Sequence, residues 1–441
     1  MKYILAFIFS VLFSLPASAN MMLIPMEEDQ TNHLKAYGVA YHVIEAGEEV
    51  EWLLNYRGGS FVFPYDEDFE REAIVREVSF EMISNAHYQQ ILRDIEKPEV
   101  NQNAIELEKA PEIAVYAPDN HQPWDDAVTL ALDYAEIPYE LIYDDEVLRD
   151  ELPQYDWLHL HHEDFTGQFG KFWANYRNQP WYQEEERYLN EIADRWGYPS
   201  VAELKLDVSE KIRDYVIGGG YLFTMCSAPE TIDIALAAHE TDIVGPMFND
   251  SPMDQDANEN LDYSRTFAFE DFTVSENPYE YSYSDIDNDP RSRNISPEDD
   301  FFTLREFSAK WDKIPTMLNQ NHTRVVPGFL GQTTAFREQF VKSDVTILGE
   351  FERMNEVRYI HGTEGDGMWT FYSGHDPEDY RHLIGDPPTD LDLYPNSPGY
   401  RLILNNVLFP AASPEERKTD IQDIKEEPAL GQIFQTKQCS H

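Results

Sequence analysis

The 441-residue chain predicts an α/β fold on a mostly parallel sheet, and three features of the sequence carry that expectation. From Glu112 onward, short apolar runs alternate with stretches of helical periodicity, the pattern of strands joined by crossover helices. The stretch Gly218-Gly219-Gly220-Tyr221-Leu222-Phe223-Thr224-Met225-Cys226-Ser227-Ala228-Pro229-Glu230 reads as a turn, a buried strand and a new helix. Pro229 suits the first turn of that helix, where its missing N–H would be unpaired anyway. Later strand patterns and a helix over 399–409 close the same unit.

Taken in order, residues 1–19 read as a signal peptide: Met1-Lys2, an apolar run over 4–15, then Ala17-Ser18-Ala19. The expected location is the periplasm or the exterior, with no membrane span in the mature chain. Residues 20–110 read as a small α+β region. β-Branched and aromatic residues over 36–50 and 51–63 predict strands around Asn55-Tyr56-Arg57-Gly58-Gly59, a helical pattern runs from Asp68 to about Ile95, and 97–110 reads as a linker.

The α/β domain is expected over 111–412. Its first strands fall at 113–117, 139–143 and 157–161, with a helix over 124–135 and another through Val208, Ile212 and Val216. Two insertions interrupt it, an aromatic one at 165–206 and an acidic, turn-rich one at 242–315. In the second, Asp285-Ile286-Asp287-Asn288-Asp289 alternates carboxylates like a calcium loop, but Pro290 and Ser296 stand where glycine and a bidentate glutamate are needed, so it reads as solvated. Strands resume at 323–326, 345–351, 357–360 and 368–373, and 413–441 is a polar tail.

Composition narrows the function. Asp plus Glu number 83 against 33 Lys plus Arg, a net charge of −50 that excludes nucleic acid and anionic membrane surfaces as partners. The hydrophobic fraction of 42% supports a large core. Two cysteines, Cys226 and Cys439, make no disulfide framework. The expected partner is a small-molecule substrate or ligand, and no cofactor or metal is expected.

Cys226 occupies a strand-to-helix corner, where a side chain stands above the carboxyl end of a strand beside the amides of the next helix. The alternative is a small buried core residue. A second constellation, His159, His161, His162, Glu163 and Asp164, ends the third strand, where open α/β sheets place ligands. Asp119 and His121 follow the first strand toward the same crevice, and Glu230 lies just beyond Cys226. These groups read as a polar binding pocket rather than a metal site, since no two-histidine helical motif occurs.

Cys226 at the end of a parallel strand, followed much later by Thr370-Phe371-Tyr372-Ser373-Gly374-His375-Asp376-Pro377-Glu378 and a terminal helix, resembles the class I glutamine amidotransferase-like superfamily, including ThuA-like proteins, over about residues 112–410. The resemblance implies a three-layer sandwich in which Cys226 is the nucleophile, His375 the general base and Glu378 the carboxylate that orients it. Such chemistry also needs donors for the developing oxyanion. The Ser227 N–H and the backbone around Gly167 are the candidates. Thr224 and Ala228 stand where the superfamily's enzymes have glycine, and Pro377 where they have glutamate.

The stretches His33-Leu34-Lys35-Ala36-Tyr37-Gly38, Leu54-Asn55-Tyr56-Arg57-Gly58-Gly59-Ser60-Phe61 and His161-His162-Glu163-Asp164-Phe165-Thr166-Gly167 are similar to exported bacterial proteins labelled asparagine synthetase B. The amino-terminal cysteine and the Ser-Gly-Gly-x-Asp-Ser loop that such a synthetase needs do not occur. The expected function is therefore an exported hydrolase-like or amidotransferase-like enzyme acting on a small amide, ester or sugar-derived substrate. The alternative is a non-catalytic ligand-binding or envelope-interaction protein that uses His121, His161 and His162 on the same fold.

Overall fold

The computed structural model describes residues 21–118 and 123–412, and these form two sheets with helices between and around them. The expected signal peptide, His121, Asp119 and the polar tail lie outside the described residues.

The amino-terminal region builds a five-stranded antiparallel sheet, in the order β4-β1-β3-β2-β5. Its elements are β1 (Met21–Ile24), α1 (His33–Glu45), β2 (Val50–Leu54), β3 (Ser60–Pro64), α2 (Glu67–Val75), β4 (Glu81–Ile83), α3 (Asn85–Ile95) and β5 (Asn103–Leu107). The strand expected over 36–50 is mostly helix. Asn32 caps α1 by accepting from Lys35 N at 2.9 Å. The helix is buried nearly all round because it lies between this sheet and the helices of the second one, so its many β-branched and aromatic residues pack on every side. The helix expected over 68–95 is broken by Glu77 at a φ of 60°, by β4 pairing with β1, and by the Ser84 cap of α3. The expected linker carries β5, which pairs with β2.

The second sheet has ten strands. In chain order its elements are β6 (Ile113–Tyr116), α4 (Ala127–Ala135), β7 (Glu140–Ile142), α5 (Asp144–Leu148), β8 (Trp157–Leu160), α6 (Trp173–Tyr176), α7 (Pro180–Trp196), α8 (Val201–Ile217), β9 (Tyr221–Met225), α9 (Ala228–Ala237) and α10 (Pro246–Asn249). There follow β10 (Phe301–Leu304), α11 (Lys313–Leu318), β11 (Val325–Pro327), β12 (Phe336–Arg337), β13 (Thr346–Phe351), β14 (Glu356–Glu364), β15 (Gly367–Tyr372) and α12 (Pro398–Leu408).

The sheet is mixed, not mostly parallel. Strands β15, β9, β8, β6 and β7 run parallel, whereas β11, β10, β13 and β14 are antiparallel neighbours and β12 pairs with the start of β14. The reason is loop length: residues 352–355 join β13 to β14 and residues 365–366 join β14 to β15, and connections this short permit only antiparallel neighbours.

Helices cover both faces of the parallel half. On one, Val115 and Phe223 pack with Val128 and Leu132 of α4 and Leu404 and Val407 of α12. On the other, Leu158, Leu160 and Leu222 pack with Val208 and Ile212 of α8 and Ile232 of α9. The register pairs Tyr116 with Leu160, Leu160 with Thr224, and Tyr372 with Met225, so the strands end side by side. His161, Cys226 and the 373–375 turn therefore emerge along one edge. No helix among the described residues is long and apolar enough to cross a membrane.

Candidate active site

Cys226 lies one residue beyond β9 at a φ of 55°. That left-handed conformation costs a non-glycine residue roughly 1–3 kcal/mol and persists only where the surroundings impose it. Here the Cys226 N–H donates to the Gly374 carbonyl at 3.0 Å, and α9 begins two residues on with Pro229 in its first turn. The backbone N–H groups of Ser227 and Gln332 hydrogen-bond the sulfur. Burial outweighs them and pushes the thiol up to about 12, with the Glu163 and Asp126 carboxylates adding to the effect. The thiol is neutral at rest.

Two histidines reach it. The sulfur, a ring nitrogen of His161 and a ring nitrogen of His375 all lie within 4.8 Å of one another. His375 is placed by a tight turn after β15: Gly374 adopts a φ of 91°, its N–H donates to Thr333 O at 2.8 Å, and His375 N donates to Leu330 O at 2.9 Å. A row of polar contacts stands behind His375. Its Nδ1 is 3.1 Å from His161 Nε2, and His161 Nδ1 is 3.0 Å from Asp126 Oδ1. Asp126 also caps α4 by accepting from Val128 N at 2.7 Å, and its Oδ2 lies 3.1 Å from His159 Nε2.

The electrostatics follow from that row. Burial works against charge on Asp126, yet His159 and His161 hold its carboxyl well below the usual range. Burial likewise opposes protonation of His161, and Asp126, with Glu163 and Asp125 behind it, more than offsets this and raises His161. Burial, then the neighbouring His161, His382 and His162, hold His375 well below an ordinary imidazole, so it is neutral. When His161 is neutral and carries its proton on Nδ1 toward Asp126, its Nε2 accepts from His375 Nδ1, which leaves the lone pair on His375 Nε2. Among the described residues that atom has no hydrogen-bond partner.

A cavity of about 580 Å³ opens onto Cys226 and His375. Trp124, Phe172, Tyr176 and Tyr281 make an aromatic wall, with Trp124 and Phe172 centroids 5.5 Å apart and Phe172 and Tyr281 5.9 Å apart. Asp287 and Gln332 also line it. The 285–289 loop, expected to be solvated, turns inward here: Ile286 and Asp287 are buried, and Asp287 Oδ1 accepts from Thr334 N at 2.8 Å and Ala335 N at 3.1 Å.

Of the other residues singled out from the sequence, His162 lines this cavity with both ring nitrogens unpartnered. Glu163 accepts from His161 N at 3.1 Å, and burial raises it to about 7. Glu230 sits behind the cavity wall, accepting from Ser284 Oγ at 2.5 Å and Thr333 Oγ1 at 2.8 Å, and burial raises it to about 7 as well. Gly167 packs against Ala202 and lines a separate small cavity with Glu185 and Lys205, so Gln332, not Gly167, supplies the second backbone donor at the sulfur. The Glu378 carboxylate is hydrogen-bonded to Ser397. The carboxylate that reaches His375, through His161, is Asp126. Its signal in the sequence is slight: an acidic residue at the N-cap of an apolar helix. Gln332 and His382 carry no local signal at all.

No family model matches the chain, and no curated protein matches it. A solved structure, cytoplasmic protein STM3548 from Salmonella typhimurium, aligns over 70% of this chain and 89% of its own length at 13% identity, with a TM-score of 0.32. The name of that protein stands against the periplasmic or secreted location expected from residues 1–19, and that expectation is not carried forward. A likeness of this size carries no argument about fold or chemistry.

Proposed function

We propose that the protein is a hydrolase-like or amidotransferase-like enzyme of the class I glutamine amidotransferase-like kind, acting on a small amide, ester or sugar-derived substrate through Cys226. One observation carries the reading: a cysteine held at positive φ, with two backbone N–H groups on its sulfur and two histidines within 4.8 Å, faces a cavity of substrate size. A merely space-filling cysteine needs none of this.

In the reaction, His375 Nε2 takes the thiol proton as the sulfur attacks the substrate carbonyl. Base assistance of this kind contributes about 10²–10⁴-fold. The carbonyl π pair moves to oxygen, where the N–H groups of Ser227 and Gln332 stand closest among the backbone donors. Collapse of the tetrahedral adduct expels the amine or alcohol, which leaves with the proton from His375, and water then cleaves the thioester. Asp126 and His161 hold His375 in the working tautomer.

The test is alkylation by chloroacetamide, a neutral electrophile small enough for the cavity, in a Cys439→Ser background that leaves Cys226 as the single thiol. Cys226 should react faster in the folded protein than in the urea-unfolded chain, and His375→Gln should slow it by about 10²-fold. Labelling no faster than in the unfolded chain sinks the enzyme reading and leaves a ligand-binding pocket.

A further inference from the structure

We propose that Asp125, His375 and His382 form a binding site for a divalent first-row transition cation, Zn²⁺ or a close relative, beside the Cys226 cavity, which His375 and His382 line. Part of the proposal, the control of thiol chemistry by the cation, rests on the reading given above; the site itself does not.

Three observations converge. One carboxylate oxygen and one nitrogen from each ring lie within 4.8 Å of one another. Donors on a common ion at about 2.0–2.2 Å sit roughly 3–3.5 Å apart, so little movement would close the set. Second, the donor atoms make no hydrogen bonds to the rest of the described protein. Both Asp125 oxygens, His375 Nε2 and His382 Nε2 are buried and make no hydrogen bond among the described residues. His382 Nε2 and Asp125 Oδ1 are 3.0 Å apart without the alignment of a hydrogen bond.

Third, the remaining nitrogen of each ring is anchored from behind. His382 Nδ1 is 3.1 Å from Asp379 Oδ2, and His375 Nδ1 is 3.1 Å from His161 Nε2, itself tied to Asp126. Carboxylate-backed imidazoles presenting the opposite nitrogen are the usual support of a metal-bound histidine. The rings of His375 and His382 are stacked, 4.5 Å apart at 19°. The neighbouring ligand-type side chains face one another directly, although His161 Nδ1 makes no aligned hydrogen bond. His159 and His161 occupy Asp126, and His161 Nε2 faces His375. Two imidazoles and a carboxylate, with the cavity side open, suit a borderline cation that keeps a water or substrate position.

The consequence for Cys226 is competition. His375 Nε2 has one lone pair, and a bound cation uses the electrons that the thiol proton needs. Metal occupancy and thiol attack therefore exclude each other, which makes the cation a reversible inhibitor of the cysteine.

The experiment is a Zn²⁺ titration of EDTA-stripped full-length protein against a chromogenic chelator, with Co²⁺ spectra and chloroacetamide labelling in parallel. Saturable binding of one equivalent is expected, weakened at least 10²-fold in Asp125→Asn and His382→Gln, weakened about 10-fold in Asp379→Asn, and retained in Cys226→Ser. The Co²⁺ form should show ligand-field bands without a thiolate charge-transfer band. Absence of one-equivalent binding, unchanged affinity in both Asp125→Asn and His382→Gln, or a charge-transfer band lost in Cys226→Ser overturns the site. Zn²⁺ should slow labelling of the wild type and not of His382→Gln. Unaltered labelling at full occupancy overturns the inhibition, and slow labelling of the metal-free protein removes the enzyme reading while the titration still judges the site.

Discussion

Two buried polar clusters, one built on the start of β14 and one beyond the ends of β8, β9 and β15, follow opposite plans. The first is a quartet of charges: Arg293 pairs with Asp300 at 2.7 Å and with Glu356 at 2.8 Å, and Arg358 pairs with Asp300 at 2.9 Å while donating to the carbonyls of Thr334 and Phe329. Nearly every donor and acceptor in it has a partner, with Arg358 Nε the exception. The second, around Cys226, is bonded on its outer side through Asp126, Asp379 and Glu163 and left unbonded on the side facing the cavity. A closed cluster locks strands together. An open one holds side chains ready for something that is not protein, and buried polar atoms without partners mark where that something goes.

The contrast can be broken at either end. Asp300→Ala leaves two buried guanidinium groups without their shared carboxylate, so it should cost about 3–5 kcal/mol of stability, read as a drop in the urea midpoint. Asp126→Asn keeps the cap of α4 but removes the charge that orients His161. Alkylation of Cys226 should slow about 10–100-fold while the midpoint moves little.

A smaller effect comes from pH. Burial raises Glu163 and Glu230 to about 7 and Asp233 to about 6. These acids hold protons in the folded chain that the unfolded chain has already released. The stability they contribute is complete below the unfolded carboxylate range and is lost as pH rises through 6 to 7. Glu230→Gln should therefore raise the midpoint at pH 8 relative to pH 6 by the equivalent of about 1 kcal/mol more than in the wild type, a comparison in which the opposite contribution of the buried neutral histidines cancels. Smallest of all, Cys226→Ser should abolish alkylation and change stability by less than about 1 kcal/mol, because a hydroxyl fits where the sulfur accepts two N–H groups.

Cys226 and His161 were legible in the sequence because each follows its strand directly, and His375 because it closes a short glycine turn after β15; a strand end locates a side chain without any knowledge of the rest of the fold. Asp126 and His382 were not. Their place depends on α4 and the 376–386 loop converging over the sheet, and no local pattern encodes that meeting. The parallel strands β6, β8 and β9 could be read from apolar runs between helices. In the antiparallel half the runs over 323–326, 345–351 and 357–360 mark β11, β13 and β14, but the short β10 and β12 and the antiparallel pairing itself could not be read, since those partners are chosen by long-range pairing. Helix α1 was read as strand because Tyr37, Val39, Tyr41, Val43 and Ile44 favour strands locally, a preference that burial between two layers overrides.

The bond from Cys226 N–H to the Gly374 carbonyl has a kinetic side as well. Strand β15 sits between β9 and β14, in the middle of the sheet, yet it is the last strand among the described residues. During synthesis the elbow at Cys226 is made long before the turn that holds it exists. Until β15 slots into the gap, the sheet has two unpaired inner edges and the cysteine has no His375. Pairing over such separations is slow, so the thiol comes under the control of its histidine at one of the final steps of folding, and a chain that stalls earlier carries an ordinary cysteine.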